Sequence, residues 1–410
     1  MLSREKTKTD DPRQEVNDYP VKEKYVLSRL LPEYVSLYRI DLNSGKYEIL
    51  RLDENTNARK LAETDPHPAE IFDEYTRRYA DNFILDEEKE EFIDCLYDLF
   101  HKEEKEDYDS FLDMLYGKFG KSIVEKFLKP YNEKLYAVDL KTLDKDAMGR
   151  FFPYADIPAI IDNMKANKDS TSYNNSFLYP RNGAGSFIQI LYDALDSSKI
   201  LMEHEVVKID NEHKVAQLDD GSKINYEYLI NTSPLNHFLG YFEGEKFSAL
   251  KNRLSYNKVL VFNLGFNKKS KFTEEHWMYI PDKAVNFYRI GFYDNILDAD
   301  KLSMYIEIGY GKEDEITEQD VEMQLKLTLE NLHKLGIIDD DTKLEEHSTI
   351  IMDPAYVHIN TETEKMVQQF KAEEEKNGIY TIGRYGAWTY CSMEDCMIAA
   401  RDLAMSLCQG

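Results

Sequence analysis

Glycine is nearly missing from the first hundred residues, where Gly45 stands alone, and nowhere in the 410-residue chain do glycines fall in a GxGxxG pattern. That leaves out the strand–glycine loop–helix fingerprint in which the backbone closes on a dinucleotide pyrophosphate. Cysteine is scarce too. Cys95, Cys391, Cys396 and Cys408 show no CxxC spacing, which argues against a metal knuckle and reads as reduced thiols of a cytoplasmic protein. Positive charge is outnumbered, 51 Lys and Arg against 77 Asp and Glu, for a net −26. So acidic a surface repels a polyphosphate backbone and disfavours nucleic acid. No apolar run reaches the length of a membrane span, and the start, MLSREKTKTDDPRQE, is no signal peptide. There is no GxSxG elbow and no Walker loop, and the histidines stand singly.

Hydrophobic residues make up 42% of the chain, enough for sizeable cores in two or three domains. Residues 1–20 are polar and read as a disordered lead-in. Residues 24–31 are expected to form a short helix before Pro32. Val35, Leu37 and Tyr38, then Asn43-Ser44-Gly45, then Tyr47, Ile49 and Leu50 spell a hairpin. Helical spacing follows over 68–82 and 86–101, the latter with a stripe of Phe92, Cys95, Leu96 and Leu99. The charge run 102–109 reads as a solvated helix face or a junction. Residues 110–128 look helical, with a break near Gly117 and Gly120. Strands are expected within 200–233, at 257–266, on either side of Pro281-Asp282, at 303–311 and at 347–356. A helix over 317–334 carries Val321, Leu325, Leu327, Leu329 and Leu332, and a charged helix fills 361–376.

The most informative stretch is GIYTIGRYGAWTYCSMEDCMIAARDLAMSL, residues 378–407. A short buried strand leads into a turn with Gly383 and Gly386. Ser392 stands as N-cap with Asp395 three residues on, a capping box. The helix after it has Met393, Cys396, Met397, Ala400, Leu403, Ala404 and Leu407 on one stripe, expected against a core. Strand, glycine turn and helix N-terminus together suit an electron-rich ligand.

GRYGAWTYCSMED resembles the C-terminal flavin-contacting segment of the flavin amine-oxidase superfamily, in the branch of UDP-galactopyranose mutases and protoporphyrinogen-oxidase-like proteins. The resemblance runs over about residues 101–410. It implies FAD as cofactor, with Gly383, Arg384, Trp388, Ser392, Met393 and Glu394 near the flavin. It also implies a glycine loop at Gly183 and Gly185 ahead of a helix flanking the flavin, a backbone position at Val206 facing adenine, and Thr232 near the pyrophosphate. NFYRIGF resembles a mutase string whose arginine faces substrate phosphate, which makes Arg289 the candidate. Arg384 would share that anion, and Tyr356 and Tyr390 would line the cleft. Tyr131 and Tyr136, in a segment resembling the family's helical cap, read as packing residues. YVSLYRIDLNSGKYEILR and DEYTRRYADNFILDEEKEEF resemble a bacterial PAS-like sensor module.

The fold implied is mixed α/β. A lead-in and PAS-like module fill 1–100, a helical substrate cap 101–180, a nucleotide-binding-like region 181–254 with 376–410, and a substrate domain 255–375. The first βαβ unit of the family is expected to be replaced by the PAS-like piece. The function implied is an FAD-dependent oxidoreductase acting on a small anionic or sugar-nucleotide-like substrate, with self-association left open. The alternatives are a mutase-like flavin isomerase, or a fused or truncated protein that is non-catalytic and binds no flavin.

Overall fold

The computed structural model describes residues 23–31, 34–41, 47–52, 87–148 and 179–409. The chain divides into two compact units, Met1–His101 and Lys102–Gly410.

In the first unit, strands β1 (Glu23–Leu31), β2 (Tyr34–Asp41) and β3 (Tyr47–Leu52) form an antiparallel meander, followed by helix α1 (Glu87–His101). The expected hairpin is present, with Leu37 opposite Leu50 and Tyr38 opposite Ile49. The expected helix over 24–31 is instead β1, which pairs from Glu23–Asp41 to Leu31–Tyr34. EKYVLSRLL carries apolar residues at both helical and strand spacing, and a ready antiparallel partner decides between them. The lead-in, the turn at 43–45 and the helical spacing over 68–82 lie outside the described residues.

In the second unit, residues 102–109 are irregular and largely exposed, and serve as a junction. Helix α2 (Phe111–Phe119) is capped by Ser110, whose hydroxyl accepts from the Asp113 amide, and it stops at Gly120, at φ 75°. The break lies at Gly120 alone, because Gly117 is inside the helix. A π-helical turn, Val124–Leu128, runs into helix α3 (Lys129–Tyr136). Helix α4 (Gly185–Asp193) precedes strands β4 (Val206–Asp210), β5 (Val215–Leu218), β6 (Lys223–Asn225) and β7 (Leu229–Asn231). Helix α5 (Glu245–Arg253) leads to β8 (Asn257–Phe266), β9 (Trp277–Tyr279), β10 (Arg289–Phe292) and β11 (Ser303–Gly311). Helix α6 (Glu318–Lys334), β12 (Leu344–Met352), helix α7 (Thr361–Glu374), β13 (Ile379–Thr381) and helix α8 (Met393–Gln409) complete it.

The main sheet is antiparallel in the order β12-β8-β11-β10-β9. Strand parity sorts its side chains. Even positions point into one core: Leu260, Phe262, Leu264 and Phe266 on β8, Ile290 and Phe292 on β10, Met304, Ile306 and Ile308 on β11. Helix α6 covers them with Val321, Leu325, Leu329 and Leu332. Leu327, expected in that stripe, is exposed; it sits two positions from both Leu325 and Leu329, about half a helical turn off the buried face. Odd positions point the other way, and they build the site.

Parity also places two glycines. A Cβ on Gly309 would collide with the Lys134 carbonyl, so its absence lets the end of α3 lie directly on β11, while Gly291 leaves room for the Tyr305 ring. Buried His358 ties the same layers together. Its Nε2 lies 3.1 Å from the Tyr136 carbonyl and its Nδ1 2.8 Å from the Ser255 hydroxyl. A carbonyl can only accept, so the neutral ring carries its proton on Nε2. Burial pushes its pKa down from 6.5 to about 4. The unfolded chain therefore binds more protons between those values, and stability falls as pH drops through that window. The urea midpoint should fall more between pH about 7.5 and about 5 in the parent than in His358→Gln. Equal drops would remove His358 from the acid response.

The other half is smaller. Strands β4, β5 and β6 form an antiparallel sheet, and β7 and β13 a separate parallel pair. A core of Leu235, Phe238, Phe242, Phe247, Phe370 and Trp388 lies beside them. Two helices here are largely exposed. Helix α4 has no buried residue, with Ile190 69% exposed. Helix α8 was expected to lay its stripe against a core, yet Met393 is 60% exposed, and Cys396, Leu403 and Leu407 are only half-buried. Parallel strands and their flanking helices are ordinarily covered on both sides. Among the described residues these two helices are not, although β13 is buried at Ile379 and Thr381.

Candidate functional site

The site is assembled where the odd face of the sheet meets α3, the Ala355–Val357 segment and the turn after β13. Arg289 and Glu307 are paired across β10 and β11 in register. Their side chains form an ion pair through Arg289 Nη2 and Glu307 Oε1. The Tyr288 hydroxyl donates to the other carboxylate oxygen at 2.5 Å. The Arg289 guanidinium lies 5.7 Å from the centre of the Tyr305 ring, while its Nε is buried without a partner among the described residues.

Arg384 comes from the GRYG turn, Gly383–Gly386, whose backbone is set by two glycines. Gly383 sits at φ 77°, a region that L side chains rarely adopt. Gly386 lies so close to β7 that a Cβ there would be 2.7 Å from the Asn231 carbonyl and 3.3 Å from the Thr232 Cα. The turn is thus pinned to the end of the parallel pair. From it, the Arg384 guanidinium carbon sits 4.4 Å from the Tyr390 ring centre, 5.3 Å from Tyr356 and 6.0 Å from Tyr385. These are cation–π distances. Arg384 forms no ion pair with a carboxylate among the described residues.

A tyrosine wall joins the two arginines. Tyr356 and Tyr390 stack at 6.0 Å, Tyr136 meets Tyr356 edge-on at 6.3 Å, and Tyr131 bridges Tyr279 at 4.9 Å and Tyr288 at 6.1 Å. Burial pushes the Tyr356 phenol up to about 12, against the opposing pull of Arg289 and Arg384. At neutral pH it is a hydroxyl, a donor rather than a base. Two arginines and one glutamate leave this pocket net positive in a chain of net charge −26.

The residues proposed for catalysis, Arg289, Arg384 and Tyr356, therefore come together. Of those proposed for the cofactor, Gly383 and Arg384 are in the turn, exposed Thr232 lies against Gly386, and Ser392 caps α8, its hydroxyl 3.2 Å from the Asp395 amide. Met393 and Glu394 lie exposed in the first turn of α8. Trp388 is buried beside Tyr256, its rings 5.9 Å apart and its Nε1 without a partner among the described residues. Val206 pairs with Leu218 in the β4–β5 ladder. Gly183, at φ 82°, lies in the loop before α4 and Gly185 opens that helix, with nothing within 4 Å of either built Cβ. Glu307 escaped sequence reasoning. Its signal was a single acid inside SMYIEIGYG, opposite an arginine on the neighbouring strand, legible only once register is known. His204, Asp219 and Asp220 form an exposed cluster at the β5–β6 turn, away from these residues in sequence and carrying no buried ligand.

As a cradle for a flavin, the turn, the capped helix start and the tyrosine wall fit a planar, electron-rich ring. The sequence has no GxGxxG for the pyrophosphate end. No helix among the described residues is long and apolar enough to cross a membrane.

A reduced UDP-galactopyranose mutase has a similar fold, with 21% identity over 72% of this chain and 66% of that one, at a TM-score of 0.66. This chain thus spans just under two thirds of the mutase. A putative protoporphyrinogen oxidase from Exiguobacterium sp. 255-15 is similar at 18% identity over 79% of this chain and 72% of that one, with a TM-score of 0.57. The family model described as flavin containing amine oxidoreductase matches residues 13–408. The chain belongs to the flavin containing amine oxidoreductase family.

Proposed function

We propose that the chain is an FAD-dependent oxidoreductase that acts on a small anionic substrate. The observation that carries this reading is the position of Arg384: it leaves the glycine turn with no carboxylate partner among the described residues and lies over Tyr390 and Tyr356. A guanidinium so placed binds a carboxylate or phosphate through paired N–H donors while its face stays on the rings. Arg289 adds a second positive group, steadied by Glu307 and Tyr288. Tyr356, protonated at neutral pH, orients the substrate by donating a hydrogen bond. The tyrosine wall keeps water off the reacting face. Gly383, Gly386 and the start of α8 would hold the flavin, which when bound supplies two-electron redox chemistry. No general base stands among these side chains, which suits chemistry carried by a cofactor.

Purified protein should show flavin absorption bands that persist through gel filtration after FAD is added. Gly383→Val should lose them, because a β-branched residue is strained at positive φ and the turn would rearrange. A colourless parent that ignores FAD would sink the reading.

The mutase-like isomerase remains the second reading, supported by the pairing of two arginines with a tyrosine wall, an arrangement suited to a sugar diphosphate. Turnover of UDP-galactopyranose by the reduced protein separates the two.

A further inference from the structure

Cys391 and Cys396 flank the N-cap of α8, and their sulfurs lie 3.7 Å apart, both half-buried. Cys391 directly follows Tyr390, the ring beneath Arg384. Cys396 is in the first turn of α8, its amide 3.2 Å from the Ser392 carbonyl, and its sulfur lies 3.9 Å from where a Gly383 Cβ would be. The pair thus sits between the anion-holding turn and the helix start, with five residues of separation and no secondary structure holding the sulfurs apart.

We propose that Cys391 and Cys396 are a modification site, closing to a reversible intramolecular disulfide under a small-molecule disulfide oxidant. In the first step a Cys396 thiolate attacks one sulfur of the oxidant, forming a mixed disulfide and releasing one thiolate. In the second the Cys391 sulfur, giving up its proton, displaces the second oxidant thiolate. Two protein thiols are oxidised and one disulfide is reduced to two thiols. Burial raises the Cys391 thiol to about 11, so it acts as the resolving sulfur. Closing from 3.7 Å to the roughly 2.0 Å of a disulfide draws Cys391 toward α8 and moves Tyr390 with it. The bridge stands on the sulfur geometry alone; its effect on substrate binding rests on the function proposed above.

Trypsin leaves both cysteines in one peptide, Tyr385–Arg401, which contains neither Cys95 nor Cys408. The full chain is treated with oxidised glutathione, alkylated without reductant and digested. The expected product is this peptide unalkylated and lighter by two hydrogens, restored to the dithiol by reductant. Cys391→Ser should instead stop at a glutathione adduct on Cys396. Amides of residues 387–393 should exchange more slowly in the oxidised protein. Two alkylated cysteines in the parent peptide, or a stable glutathione adduct there, overturns the proposal. None of these readouts needs bound flavin, so failure here is separate from failure of the proposed function.

Discussion

Arg289→Met should lower stability by roughly 3–5 kcal/mol, because it leaves the Glu307 carboxylate buried without its cation. Glu307 is 9% exposed and Arg289 keeps 27% of its side chain accessible, so the pair lies far from the exposed regime in which an ion pair contributes at most about 1 kcal/mol. Tyr288, which donates to Glu307, can stabilise part of the stranded charge but cannot neutralise it. Glu307→Gln in the same chain should return half or more of the loss, since the amide fits the space and brings no charge. Chemical-denaturation midpoints of the parent, the single variant and the double variant form the test. A single variant within about 0.5 kcal/mol of the parent would mean that the Glu307 carboxylate does not need Arg289. A double variant no better than the single one would trace the loss to packing against Tyr305.

Asn257→Ala should cost about 3 kcal/mol, from one side chain that joins three parts of the fold. Asn257 is fully buried at the start of β8. Its amide nitrogen donates to the Leu135 carbonyl at the end of α3, and its amide oxygen accepts from the Tyr356 backbone at 2.7 Å. The backbone of Asn257 exchanges two further bonds with this segment, to the Tyr356 carbonyl at 3.0 Å and from the Ala355 amide at 2.8 Å. Removing the side chain leaves a buried carbonyl and a buried amide unpaired. Asn257→Asp should be worse than Ala: it keeps the acceptor, loses the donor and buries a charge. The reverse order, read from thermal or denaturant midpoints, would show that volume rather than hydrogen bonding governs the position. Because the Tyr356 amide loses its side-chain acceptor in Asn257→Ala, flavin or substrate binding should weaken in that variant.

Much of this was legible before the fold. The hairpin over 35–50, the capping box at Ser392 and Asp395, the strand at 257–266 and the glycine turn all rest on local chemistry, and local chemistry is written in the sequence. Arg289, Arg384 and Tyr356 were also singled out. Glu307 was not, because its role depends on facing Arg289 across two strands, and no local pattern encodes register. Tyr131 and Tyr136 read as packing residues, and they are, yet the surface they pack is the wall of the pocket. The stripe on α8 failed for the opposite reason. Its spacing was right, but spacing reports only that a face is apolar, and what covers it must come from elsewhere in the fold.

The parity of β10 and β11 has a genetic consequence. Ile306 and Ile308 face oil while Tyr305 and Glu307 face the pocket, on one strand and one residue apart. Substitutions can therefore retune the pocket at odd codons without touching the core at even ones. Loss or gain of one codon between Ser303 and Glu307 does the reverse. It turns the strand over, sends the glutamate into the core and sets an isoleucine opposite Arg289. A point substitution at an odd position changes the pocket one side chain at a time, whereas a three-base deletion exchanges the two faces of the strand at once.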